Sequence, residues 1–275
     1  MADIAPLTGR TIGVTADRRG EDQAVLFGRM GADVVLGPTI TTIRIPDPSL
    51  LRQRTEEIVA DPPDYVIANT GIGMRTWLEA AGEWGLEAGL LGALERSHLA
   101  ARGPKVAGAL SSAGLSAWWR SPTEQLSELV DHLRAVGLDG CRVAFQLHGD
   151  DGAEFVARLE AAGARVVTIP VYVWQLPPDP GPALRLIDRT CRGELDALTF
   201  TAGPQIRAML ELAAGAGREG DLLAALSEGR LVVGCIGPVC AGVAAEAGIR
   251  GVVVPEHWRL GSLVKAVAGA LSAPR

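Results

Sequence analysis

Aromatic residues make up only 4% of this 275-residue chain, and just two of them are tyrosines, Tyr65 and Tyr172. A phenolic hydroxyl is therefore available at two places only. Cysteine and histidine are equally sparse. Cys141, Cys191, Cys235 and Cys240 form no C-x-x-C pair, and His98, His132, His148 and His257 stand far apart, which excludes the usual zinc spacings. No metal is expected. A net charge of −6 and a pI near 5.3 exclude the broad positive surface of a nucleic-acid-binding domain, so any anionic ligand must be met by local cations. No apolar run reaches the ~18 residues of a membrane span, and MADIAPLTGR has no apolar signal-peptide core. Neither membrane nor export is expected, and a cytoplasmic location follows. G-x-G-x-x-G does not follow any expected strand, and N-T-G-I-G at Asn69–Gly73 is only a fragment of it, which weighs against a Rossmann-type nucleotide site.

What is present is apolar material and internal repetition. Hydrophobic residues account for 48% of the chain and mean hydropathy is +0.20, enough for two cores at this length. GADVVLGP at Gly31–Pro38 recurs as GARVVTIP at Gly163–Pro170, an offset of 132 (163 − 31), with five identities in one register. Each copy reads as a helix ended by Gly, a short strand, a Pro stop and a second extended run, Thr39–Pro46 or Val171–Leu176. A strand that stops and at once restarts is leaving one sheet for another. GPKVAG from Gly103 and GPVCAG from Gly237 repeat at an offset of 134 (237 − 103), and Asp64…Gly71 matches Asp196…Gly203 at 132 (196 − 64). Two related halves are indicated.

Strands are expected at Thr11–Thr15, Val34–Leu36, Tyr65–Ala68, Leu99–Arg102, Arg142–Leu147, Ala197–Phe200, Leu231–Ile236 and Val252–Val254, alternating with helices. Thr123 or Ser121 is the expected N-cap of a helix running to Val136. This alternation predicts α/β parallel sheets, whose ligands meet the carboxyl ends of the strands.

Taken together, Val14-Thr15, GADVVLGP, NTGIG, ARGPKVAG, TAGP, CIGPVCAG and Tyr172 resemble, in order and spacing, the uroporphyrinogen-III synthase family over nearly the whole chain. The resemblance implies two flavodoxin-like domains joined by two extended linkers, the first domain discontinuous. Residues 9–38 with 177–275 would form that first domain, residues 46–170 the inserted second, and residues 39–45 and 171–176 the linkers; a tandem arrangement divided near Gly137–Gly140 is the alternative. It also implies closure of linear hydroxymethylbilane to uroporphyrinogen III with inversion of the last pyrrole ring, using no cofactor. The partner is then a small polycarboxylate tetrapyrrole substrate and the protein a monomer, with no nucleic acid bound by this chain alone. Synthase-like domains also occur fused to DNA-reading domains in bacterial regulators, where the module only senses a ligand. This chain ends directly after its last expected helix, which favours the free-standing enzyme.

The resemblance assigns Tyr172 as the proton donor; an aromatic packed between domains is the structural alternative. Thr70 and Gly71, with Thr201 and Gly203, occupy corresponding turns as expected substrate contacts, where threonine capping is equally natural. Thr15 follows strand one, and Gly237 and Cys240 stand where the family has Gly and Thr. Arg18 and Arg102 are local cations suited to carboxylates, and His148 replaces a family Arg before Gly149. Thr15-Ala16 replaces Thr-Arg, Ala202 replaces a Ser, and Val106 and Cys240 replace Thr. These departures remove hydroxyls and a guanidinium from the site while leaving the fold untouched.

Overall fold

The computed structural model describes residues 5–45, 47–147 and 152–272. The chain separates into two compact units, Met1–Thr42 with Gln175–Arg275 as unit 1, and Ile43–Trp174 as unit 2. In chain order it begins with β1 (Thr11–Val14), α1 (Gly20–Gly28), β2 (Asp33–Leu36) and β3 (Thr41–Arg44). Next come α2 (Ser49–Ala60), β4 (Tyr65–Ala68), α3 (Gly71–Glu83), α4 (Glu87–Glu95), β5 (His98–Ala101), α5 (Pro104–Ser112), β6 (Trp119–Arg120) and α6 (Leu126–Val136). The second half runs through β7 (Arg142–Gln146), α7 (Ala153–Glu160), β8 (Arg165–Ile169), β9 (Tyr172–Gln175) and α8 (Gly181–Cys191). It closes with β10 (Ala197–Phe200), α9 (Gly203–Gly215), α10 (Glu219–Ser227), β11 (Val232–Cys235), α11 (Pro238–Glu246) and α12 (Leu260–Ser272).

Unit 2 holds a parallel sheet in the order β6-β5-β4-β7-β8. Unit 1 holds a parallel sheet in the order β11-β10-β1-β2, extended beyond β11 by a parallel bridge between Gly234 and Val253. Position by position the two sheets are the same: Val253 matches β6, β11 matches β5, β10 matches β4, β1 matches β7 and β2 matches β8. Each unit thus combines the first two strands of one repeat with the last three of the other. Counted along one repeat, the order is the flavodoxin-like 2-1-3-4-5. The segments that carry the chain onward after β2 and β8 are β3 and β9, which pair with each other as a separate two-stranded sheet.

Local chemistry explains the punctuation. Gly31 and Gly163, the twin glycines of the repeat, adopt φ of 90° and 88°, a left-handed geometry that a Cβ disfavours. Pro104 and Pro238 take the first helical position of α5 and α11, where the missing N–H costs nothing. The central strands β4 and β10 are apolar but for Tyr65 and the buried Thr199, and are covered on both faces, as helix-covered parallel strands must be. Around them unit 2 packs Trp77, Met74, Leu90 and Leu94 on one face and Phe145, Leu129 and Leu133 on the other. Unit 1 does the same with Phe200, Met209 and Leu222, and with Ile12, Phe27 and Val267.

Some expectations need correction. The helix expected from Thr123 begins at Leu126, with Gln125 at its N-cap and no side-chain cap bond. The hydroxyls of Ser121 and Thr123 donate to the Glu128 carboxylate instead, so their capping character is spent on a side chain. The strand expected at Val252–Val254 is reduced to the single bridge at Val253. The helices after NTGIG and TAGP start at Gly71 and Gly203, earlier than the turn residues suggest, because turn and first helical turn are one structure there. No helix is long and apolar enough to cross a membrane, and no cluster of metal-ligating side chains occurs, among the described residues.

Candidate active site

In an open doubly wound sheet, ligands meet the carboxyl edge where strand order reverses. That switch point lies between β4 and β7 in unit 2 and between β1 and β10 in unit 1.

In unit 2 the chain leaves β4 through Asn69 and Thr70 into α3. Thr70 is the N-cap, its Oγ1 accepting the Gly73 N–H at 3.1 Å. Gln146, the fully buried last residue of β7, reaches across. Its Oε1 accepts the N–H groups of Asn69 at 2.9 Å and Thr70 at 3.0 Å, and its Nε2 donates to Thr70 Oγ1 at 3.2 Å. Two N–H groups converging on one atom identify that end of the amide as oxygen. Tyr172 Oη lies 3.3 Å from the same Thr70 Oγ1. Tyr172 is 4% exposed, and its ring lies edge-on to Trp174 at 6.1 Å. Arg102, just past β5, donates from Nε to the Glu124 carbonyl at 2.9 Å and from Nη1 to Asn69 Oδ1 at 3.2 Å. Glu124 holds a φ of 56°, unusual for a residue with a side chain, so its carbonyl is aimed at the guanidinium at a backbone cost. The other end of the buried Asn69 amide, Nδ2, has no partner among the described residues.

Unit 1 builds the same clamp from different residues. Here Gln205, in the first turn of α9, supplies the amide: its Oε1 accepts the N–H groups of Thr201 at 2.7 Å and Ala202 at 3.2 Å, and its Nε2 donates to Thr201 Oγ1 at 3.1 Å. Thr15 Oγ1 donates to the Thr199 carbonyl at 2.8 Å and lies 3.2 Å from Gln205 Oε1. Gln23 on α1 donates to Thr199 Oγ1 at 2.8 Å, so a wholly buried polar cluster occupies this switch point.

The strand registers show what was exchanged. Tyr65 pairs with Val143 and Ala197 with Ile12, so Gln146 of β7 is matched by Thr15, while Gln205 of α9 is matched by Gly73 of α3. Unit 2 supplies the amide from the strand and leaves glycine on the helix. Unit 1 supplies it from the helix and leaves a small threonine at the strand end. A Cβ on Gly73 would stand 1.4 Å from Gln146 Nε2, so the strand-borne amide requires glycine opposite.

The remaining residues singled out from the sequence fall as follows. Thr70, Gly71, Arg102 and Tyr172 belong to unit 2 and gather around the β4–α3 turn, with Gly71 packed against the Lys105 carbonyl. Thr15, Thr201 and Gly203 gather around the β10–α9 turn of unit 1, with Gly203 packed against Val243. Gly237 is the N-cap of α11 and faces the Trp258 ring. Cys240 is 3% exposed, its Sγ lies 3.8 Å from the Phe200 carbonyl, and a hydrogen bond with Cys235 together with burial pushes its thiol well above the ordinary range. It is a small buried hydrophobe with no thiolate character. Arg18 is exposed, and His148 lies outside the described residues. Sequence reasoning missed Asn69, Gln146 and Gln205. The available signal was a polar residue at the end of an otherwise apolar strand, RVAFQ, and a glutamine two residues into a helix behind TAG.

Fold and turn chemistry define an α/β protein of two strand-exchanged repeats, each with an amide-clamped turn at its sheet's switch point. A family model described as Uroporphyrinogen-III synthase HemD matches residues 21–265. The chain belongs to the uroporphyrinogen-III synthase family. A crystal structure of a mutant uroporphyrinogen III synthase from the extremely thermophilic bacterium Thermus thermophilus superposes with a TM-score of 0.77 at 31% identity, covering 96% of this chain and 99% of that one. The uncharacterized protein YjjA of Bacillus subtilis is 28% identical over 265 residues, 95% of this chain and 96% of that one. A putative uroporphyrinogen-III synthase of Methanothermobacter thermautotrophicus is 31% identical over 140 residues, 51% of this chain and 53% of its own length.

Proposed function

We propose that the protein is itself a uroporphyrinogen-III synthase, closing linear hydroxymethylbilane to uroporphyrinogen III with inversion of the last pyrrole ring. The observation that carries the reading is the Tyr172 hydroxyl 3.3 Å from Thr70 Oγ1, at the switch-point turn of unit 2, in a chain of this family. The reaction expels a hydroxyl from the linear substrate and joins a pyrrole carbon to the azafulvene-like carbon left behind. The pyrrole supplies the electrons, so the protein needs no nucleophile. Its tasks are to hold a flexible chain in one productive arrangement and to protonate the departing hydroxyl so that it leaves as water. Tyr172 is the residue we assign to that protonation. Arg102, fixed by Glu124 and Asn69, and the exposed Arg18 suit the substrate's carboxylates. Thr70 and Gly71, with Thr15, Thr201, Gly203, Gly237 and Cys240, shape turns at the carboxyl edges of the two sheets.

Supplying hydroxymethylbilane and separating the I and III isomers of the product tests the assignment. Enrichment of the III isomer over the spontaneous reaction is expected, and a product no richer in it than the enzyme-free control overturns the reading. Tyr172→Phe should lower turnover by about 10²-fold or more with the fold intact; an unchanged rate removes Tyr172 from the chemistry. A second reading, a ligand-sensing module without catalysis, is favoured by one feature: the turn N–H groups of both units are already held by glutamine amides. It predicts saturable binding of a tetrapyrrole polycarboxylate with no isomer enrichment.

A further inference from the structure

Thr70 Oγ1 has three neighbours within hydrogen-bonding distance: Gly73 N at 3.1 Å, Gln146 Nε2 at 3.2 Å and Tyr172 Oη at 3.3 Å. A hydroxyl oxygen accepts two hydrogen bonds and donates one. The Gly73 amide can only donate. Gln146 Nε2 can only donate as well, because the opposite end of that amide is fixed as oxygen by the N–H groups of Asn69 and Thr70. Both acceptor sites of Thr70 are thereby filled, and the third contact has one direction left: Thr70 donates its proton to the Tyr172 oxygen.

We propose that Gln146 is a positioning residue for Tyr172, acting through Thr70: it turns the Thr70 hydroxyl onto the phenol oxygen and so directs the Tyr172 proton away from Thr70. A hydrogen bond donated to the phenol oxygen stabilises the phenolate and makes Tyr172 the stronger acid. Unit 1 supports the assignment by contrast. Its clamp, Gln205 on Thr201, has the same amide in the matching place, but the residue matched to Tyr172 at the repeat offset is Ile40, which is buried and carries no hydroxyl. The clamp is common to both halves; the relay onto a phenol exists in one.

The proposal deepens the synthase reading, and its test separates the two. With only two tyrosines in the chain, carbon-13 labelling at the tyrosine ζ carbon gives two NMR resonances, assigned by Tyr65→Phe. The titration midpoint of Tyr172 is then followed in the whole protein without any substrate. In Gln146→Leu the midpoint should rise by about half a pH unit or more, because Thr70 regains a free acceptor site and the neutral phenol, able to donate to it, is stabilised relative to the phenolate. Thr70→Val should raise it likewise, and Thr70→Ser should leave it at the wild-type value. If Tyr172 instead donates to Thr70, losing that acceptor lowers the midpoint. A fall or no change in Gln146→Leu overturns the proposal, and if that variant does not fold, a fall or no change in Thr70→Val overturns it. In the isomer assay, Gln146→Leu should lower kcat about tenfold with KM within about twofold. A raised midpoint with unchanged kcat keeps the relay and removes the acid role of Tyr172.

Discussion

Gly73→Ala should dismantle the unit 2 clamp. The added Cβ would lie 1.4 Å from Gln146 Nε2, 2.7 Å from its Cδ and 2.8 Å from Thr70 Oγ1. No contact of that length survives, and the obstacle is the end of a flexible side chain, so Gln146 swings out and the backbone stays. The cost is the side chain's bonds: two accepted N–H groups, one of them fully buried, and one donated bond to Thr70. At ~1 kcal/mol net for each bond, and more for a buried N–H left alone, the loss is ~3 kcal/mol. Replacing glycine by alanine within a helix returns ~1 kcal/mol, leaving a net destabilisation of ~2 kcal/mol. With a urea m-value of ~2 kcal/mol/M, the unfolding midpoint of unit 2 falls by about 1 M. Five of the six tryptophans, Trp77, Trp84, Trp118, Trp119 and Trp174, belong to unit 2, so intrinsic fluorescence follows that transition. Unit 1 supplies the rescue. Gly73→Gln combined with Gln146→Thr copies its Gln205 and Thr15 arrangement and should recover at least half of what either substitution loses alone. A Gly73→Ala midpoint equal to wild type, or strictly additive losses in the double variant, refutes the reasoning.

Three further outcomes are expected. Gly71→Ala should destabilise more than Gly203→Ala, by ~1 kcal/mol or more in urea titrations. At Gly71 the new Cβ meets the Lys105 backbone carbonyl at 2.5 Å, whereas at Gly203 it meets the tip of Val243 at 2.7 Å, which can turn aside. Thr55→Val should cost ~1–3 kcal/mol, because it leaves the buried Trp77 indole N–H, now bonded to Thr55 Oγ1 at 2.9 Å, without an acceptor; a cost below about 0.5 kcal/mol would contradict this. Glu128 is held below the ordinary glutamate range, first by the Ser121 hydroxyl and then by Thr123. A depressed carboxylate stabilises the fold above its unfolded pKa and loses that contribution as pH falls through the lower folded value. Hydrogen-exchange protection of the Thr123 amide should therefore decline on acidification below the ordinary glutamate range, and the decline should be absent in Glu128→Gln.

The sequence alone determined the periodic and local features. The twin glycines Gly31 and Gly163 announce helix ends because only a left-handed φ closes them, and the paired proline starts at Pro104 and Pro238 announce α5 and α11. The central strands are legible as short apolar runs between breaker clusters, and the repeat offsets reveal two halves. α10 and β6 are not legible: Glu219–Ser227 carries no strong start signal, and a two-residue strand has no period to detect. At the candidate site, the sequence pointed to turns on the carboxyl edges of the sheets but not to the atoms that organise them. Thr70 and Tyr172 were found as residue types at motif positions, 102 residues apart. Gln146 and Gln205 went unseen because their role lies in crossing from one element to another, and no local pattern encodes a side chain's reach. Only the tertiary structure decided that one amide is supplied from a strand in one half and from a helix in the other. The reason is steric: the turn N–H groups and the Thr hydroxyl need an amide at a fixed place, and packing leaves room for one glutamine, with glycine or threonine opposite it.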